Sequence, residues 1–141
     1  MFKNLITLTL ILAASILALT ACANEETQSD AVNQSAQGAQ AIQAGEDLFS
    51  RSVIGSQAGC IACHSLSPGV TLVGPSLAGI GSRAGDTVPG QSADEYLREA
   101  ILNPDAYIVE GFPEGAMPPA LAEELSSEQI DNLVTYMLSL K

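Results

Sequence analysis

The stretch GCIACHSL, residues 59–66, holds the only histidine of the chain and two of its three cysteines. Cys60, Cys63 and His64 fall within five residues. Two thiols with two residues between them can be presented by one short turn to the same edge of a flat group. An imidazole directly after the second thiol is then carried beneath that group. Such a triplet is dense in chemistry, and the remainder of the chain decides which chemistry it serves.

Three readings compete. A structural zinc site wants four Cys or His ligands, and this chain offers three candidates, all local, with no second pair. A thioredoxin-like C-x-x-C wants a βαβ context, and no such pattern is present. C-x-x-C-H is also the attachment signal of c-type haem. There the Cys60 and Cys63 thiols add across the two vinyl groups, and His64 reaches the iron as its proximal ligand. One covalent haem c, with its iron, is the cofactor expected on this reading.

A single histidine also constrains the far side of the iron. Bis-histidine ligation is impossible within one chain, and a distal histidine acting as a peroxidase acid–base is excluded. Two methionines follow the N-terminal segment. Met137 stands at core spacing in an apolar helical stripe. Met117 stands in EGAMPPA, where Pro118 and Pro119 stiffen the backbone behind it. Met117 is the candidate sixth ligand, against the plainer reading of a thioether filling a core gap. Lys141 is a remote alternative at the chain end. His/Met ligation raises the reduction potential and closes the iron to substrate. Both effects favour one-electron transfer over catalysis, so no catalytic residue is assigned.

Outward from the triplet, the chain divides by composition. Residues 1–21, MFKNLITLTLILAASILALTA, have one cation at Lys3 and an apolar run from Leu5 to Ala21. This is the layout of a secretory signal. The run is at the short edge of a membrane-spanning helix, and an uncleaved anchor is the alternative. Leu19-Thr20-Ala21-Cys22 resembles a bacterial lipobox, which implies lipidation of Cys22 and cleavage before it. The expected location is outside the cytoplasm, lipid-anchored on the outer face of the plasma membrane or in the periplasm. With Cys22 lipidated and the other two cysteines used together, no thiol is left for a disulfide scaffold.

Residues 22–41 are then the lipidated cysteine and a flexible linker. Its sequence ANEETQSDAVNQSAQGAQA is too polar to bury a core and is expected to be disordered. A coil of that length spans on the order of 25 Å. Residues 42–141 form the expected domain. A core of about 100 residues is marginal alone and gains from a covalent or metal staple.

The formal net charge is −11, from sixteen acidic and five basic residues. Loss of Lys3 with the signal would make it −12. Nucleic acid is thereby excluded as a partner. Redox proteins with a basic docking face are the expected partners, together with the membrane through the lipid. The strong charge also suits a monomer, unless the chain is part of a complex.

Periodicity predicts three helices and no sheet, an all-α fold. The first covers 41–54, with Ile42, Gly45, Phe49 and Val53 on one face. The second covers 92–103, with a Ser92/Glu95 capping box, the stripe Tyr96, Leu97, Ala100, Ile101, and Pro104 as terminator. The third covers 126–141, with a Ser126/Gln129 capping box and the stripe Ile130, Leu133, Val134, Met137, Leu138, beside Tyr136. Two long Gly/Pro-rich loops lie between the helices. In so small a domain they need something to pack on, and a large internal ligand would supply it.

With CIACH, GAMPP and the helices in place, residues 42–141 resemble a class I c-type cytochrome of the membrane-tethered bacterial monohaem kind. The resemblance implies a small helical domain around one covalent haem. Gly45 and Phe49, with Leu133 and Tyr136, match the family's crossing of its first and last helices. In VGPSLAGIGSRAG the Pro75 carbonyl would accept from the His64 ring. Arg83 and Tyr107 match positions that often face a haem propionate. NPDAYIVEGFPEGAMPP is similar to the cytochrome c domain of some cytochrome oxidase second subunits, although no copper-binding domain is read in this sequence. The acidic surface also differs from that of the basic mitochondrial carriers. The implied function is one-electron transfer by a membrane-anchored cytochrome in a bacterial respiratory or photosynthetic chain. Two rival readings stay open. One is a haem enzyme or gas sensor with a displaceable sixth ligand. The other is a fixed electron-relay subunit of a larger oxidoreductase complex.

Overall fold

Serine caps and apolar stripes set the frame. In the computed structural model, which describes residues 25–141, helix α1 is Glu25–Phe49. A two-stranded hairpin follows, β1 (Val53–Ile54) and β2 (Gln57–Ala58), antiparallel with Val53 opposite Ala58. The later helices are α2 (Cys60–Cys63), α3 (Ile80–Arg83), α4 (Ala93–Leu102), α5 (Ala120–Glu123) and α6 (Ser127–Ser139). Short 3₁₀ turns occupy Ala84–Asp86 and Pro104–Ala106.

Both capping boxes form. Ser92 Oγ accepts from Glu95 N at 3.3 Å while the Glu95 carboxylate accepts from Ser92 N at 2.7 Å. Ser126 and Gln129 do the same at the start of α6. These bonds satisfy N–H groups that the first turn of a helix leaves without partners.

Two expectations are corrected. Residues 23–41, expected to be disordered, are helical from Glu25 onward. Their Ala, Gln and Glu content favours a helix locally, and residues 31–37 are all exposed, so they add nothing to a core. The first helix stops at Phe49 instead of running to residue 54. Gly55 adopts φ +56°, a left-handed conformation open to glycine, and turns the chain into the hairpin. Val53 is therefore exposed instead of facing the core. The signal peptide 1–21 and the lipidation site Cys22 lie outside the described residues.

Residues Gly38–Lys141 form one compact unit. Its core gathers Leu48 and Phe49 of α1, Tyr96, Leu97 and Ile101 of α4, and Ile130, Leu133, Val134, Tyr136 and Met137 of α6. Gly45 is where α1 crosses α6. A Cβ there would stand 2.6 Å from Tyr136 Cβ and collide with the Asn132 carbonyl. One turn on, the Phe49 and Tyr136 rings meet at 5.7 Å. Among the described residues, no helix is long and apolar enough to cross a membrane.

Candidate functional site

Helix α2 is one turn long and consists of the C-x-x-C residues themselves. The hairpin delivers the chain to it. Gly59 N donates to Ser52 O at 2.8 Å, and a side chain at Gly59 would strike the Arg51 carbonyl. Both thiols and the His64 imidazole line a single cavity, and Met117 lines the same one. All four sequence-predicted ligand candidates are therefore brought together, from segments far apart in the chain. Met137 also reaches the cavity, but its side chain is buried in the α6 stripe, as its spacing foretold.

The cavity is apolar and open at one side. Its empty volume is about 1270 Å³ with the open mouth included. Core residues Phe49, Leu97, Ile101 and Leu133 make its floor. The two long loops make its walls, one through Val73 and Pro75, the other through Tyr107, Phe112 and Met117.

The histidine is held in a defined state. His64 Nδ1 lies 2.9 Å from Pro75 O. A carbonyl only accepts, so Nδ1 carries a proton, and in the neutral ring the lone pair open to a metal is then on Nε2. The loop that brings Pro75 is stitched down by Gly74 N to Cys63 O at 2.9 Å and Leu77 N to Ser65 O at 2.8 Å. Gly74 packs flat on the ring, where a Cβ would come within 2.5 Å of His64 Cε1. Its role escaped the sequence reading, and only the Gly-Pro dipeptide hinted at a turn.

Arg83 and Tyr107 separate. Tyr107 lines the cavity and meets Tyr96 edge-on at 5.9 Å. The Arg83 guanidinium instead donates to the backbone of its own loop, to Ser76 O at 2.7 Å and to Ala78 O. It is absent from the cavity lining and serves to clamp the segment that carries Pro75.

A second clamp had no sequence signal. The Glu124 carboxylate accepts from Ser56 Oγ at 2.6 Å and from Ser56 N at 3.2 Å. It thereby ties the end of α5, which follows Met117, to the hairpin that precedes Cys60. These two bonds hold the Glu124 carboxyl below the usual range. At Cys60 the opposite occurs. Burial pushes its thiol up from 9.0 to about 11, with repulsion from Cys63 adding a lesser push.

The donor set fits the group that the sequence implied. Two thiols stand beside one imidazole, and a thioether borders the same apolar cavity. Imidazole and thioether are the axial pair of electron-transfer haems, and an apolar surround suits the macrocycle. Among the described residues, no three His, Cys, Asp or Glu side chains converge as ion ligands.

Comparison with known families agrees with this geometry. A family model described as cytochrome c matches residues 28–141. A search of curated proteins gave no match. The family match covers the hairpin, the C-x-x-C-H turn and both cavity walls, so the chain belongs to the cytochrome c family as a class I c-type cytochrome, a haem-based electron-transfer protein whose haem c is held covalently.

Proposed function

We propose that this chain is a membrane-anchored one-electron carrier of a bacterial respiratory or photosynthetic chain. Cys60 and Cys63 would hold the haem covalently, and His64 and Met117 would bind its iron. The observation that carries this reading is the single cavity bordered by both thiols, the imidazole and the Met117 thioether. Bound haem c supplies a reversible one-electron couple at its iron.

The residues divide the work. Pro75 O fixes the His64 tautomer and raises the basicity of Nε2. The apolar floor excludes water, and with a Met117 thioether on the iron it would raise the potential of a bound haem. Pro118 and Pro119 limit the excursions of Met117 and resist its replacement by an external ligand. The lipid at Cys22 confines the carrier to a membrane, and the negative surface steers basic partners toward it at long range.

The test is the reduced optical spectrum of the haem-loaded protein, with and without carbon monoxide. An unchanged six-coordinate ferrous spectrum supports electron transfer. Rapid carbon monoxide binding by the unaltered protein transfers the assignment to a haem enzyme or gas sensor. Met117→Ala is expected to convert the first behaviour into the second and to lower the midpoint potential, while Met137→Leu leaves the spectrum unchanged.

A further inference from the structure

The segment that carries Met117 has little backbone bonding of its own. Residues 113–120, PEGAMPPA, include three prolines, which have no N–H to donate. Of the other N–H groups in this segment, the one that finds an acceptor among the described residues is that of Gly115, which donates to Asp105 Oδ1 at 2.8 Å. Phe112 N closes a turn on Val109 O at 3.1 Å, but that bond lies inside the same loop. Met117 packs against the core cluster, yet apolar contact has no fixed direction. Asp105 itself stands on a fixed base. It lies in the 3₁₀ turn Pro104–Ala106 directly behind α4, where Asn103 N donates to Glu99 O at 2.7 Å and Ala106 N to Asn103 O at 2.9 Å. Gly115 adopts φ +73°, a left-handed conformation that favours glycine, as it offers its N–H to the carboxylate.

We infer that Asp105 is a positioning residue for the sixth iron ligand: its bond to Gly115 pins the Met117 segment to the end of α4 and keeps it from lifting off the cavity. The inference rests on the reading of Met117 as an iron ligand and adds the residue that holds it in place. Two residues of chain span at most about 7 Å, so a pin at Gly115 leaves Met117 little travel. Pro118 and Pro119 stiffen the chain on the far side, but a stiff segment without a pin moves as a unit. Beyond them, Leu121 N donates to Pro118 O at 3.0 Å, and the Glu124 clamp ties the end of α5 to the hairpin. The Met117 segment is therefore held on both sides by carboxylates, and Asp105 holds the point nearer to Met117 along the chain. Asp105 also borders the cavity, so its charge and its hydrogen bond are separate influences on a bound iron, and they are separable by substitution.

The experiment titrates imidazole into the ferric, haem-loaded full chain and follows the optical spectrum, for the parent and for Asp105→Ala, Asp105→Asn, Met117→Ala and Gly45→Ala. An external ligand binds in proportion to the fraction of molecules whose sixth site is open. Asp105→Ala is expected to bind imidazole about tenfold more tightly than the parent, the effect of losing one hydrogen bond to a charged acceptor. Asp105→Asn removes the charge but keeps an acceptor oxygen, and it is expected to stay near the parent. Gly45→Ala destabilises the helix crossing and is expected to leave the imidazole affinity unchanged, which separates positioning from general loss of stability. The Gly115 amide is expected to exchange slowly in the parent and fast in Asp105→Ala. An Asp105→Ala variant indistinguishable from the parent overturns the inference. So does an Asp105→Asn variant that matches Asp105→Ala, which assigns the effect to charge, and so does an equal shift in Gly45→Ala. In these cases the ligand reading stands if Met117→Ala binds imidazole more tightly than the parent. A Met117→Ala variant that binds no more tightly than the parent overturns both.

Discussion

At the residue scale, a few atoms set the state of the site. Gly74 exists to let the chain pass over the His64 ring, because any Cβ would sit 2.5 Å from Cε1. The ring cannot retreat without leaving Pro75 O. Gly74→Ala is therefore expected to cost about 1–3 kcal/mol, as overpacking does, and to lower the fraction of protein carrying covalent haem. Thermal unfolding and the haem-to-protein absorbance ratio check both. Cys60 gives a pH prediction. Its folded thiol holds a proton up to about pH 11, whereas the unfolded thiol releases it near 9.0. Between those values the folded apoprotein binds more protons, so its stability falls as pH rises. Denaturant midpoints of the apoprotein should drop across that window. The haem-loaded form, with thioethers in place of thiols, should lack that component.

At the element scale, the hairpin and α5 act as a pair. Each flanks a ligand-bearing segment, and the Glu124–Ser56 bonds join them. The Glu124 carboxyl is held below its ordinary 4.5 by accepting from the Ser56 hydroxyl and amide. That stabilisation is present above the ordinary value and is lost as pH falls through the lower folded value. Glu124→Gln is expected to lower the urea midpoint at pH 7. The gap to the parent should close as pH falls below 4.5. A constant gap down to acid pH would mean that the charge is irrelevant to the clamp. On the opposite side, Arg98 of α4 pairs with Asp131 of α6 at 2.7 Å. This exposed bridge is worth at most about 1 kcal/mol, so buried apolar surface is what joins these helices.

For the molecule as a whole, the crossing of α1 and α6 closes the domain. Gly45→Ala would force the Asn132 carbonyl and Tyr136 Cβ apart. The expected cost is about 1–3 kcal/mol, read as a lower melting temperature. Unlike Gly74→Ala, it should leave the optical spectrum of the folded haem protein unchanged, since neither Gly45 nor Tyr136 lines the cavity. Comparing the two alanines separates damage to the frame from damage to the site. Apart from the 3₁₀ turn Pro104–Ala106, the two long loops have no strand or helix of their own to pack on. They border the apolar cavity instead. Their side chains need an internal partner to complete the core, so removing haem should loosen residues 65–79 and 103–119 first, as faster amide exchange.

Spacing within the chain determined the cofactor, the helices and the ligand candidates. Local rules govern all three. Two thiols and an imidazole within five residues specify their own chemistry, serine caps specify helix starts, and apolar stripes specify which helix faces are buried. The second and third helices began at the capping serines read from the sequence. Where the first helix ends was decided by Gly55 and the hairpin, a pairing too short to leave a periodic signal. Tertiary structure alone placed Met117 on the cavity of His64, turned Arg83 to its own backbone and linked Glu124 to Ser56 across 68 positions. Contacts between segments distant in sequence carry no local pattern, because they are fixed only when the chain closes on itself.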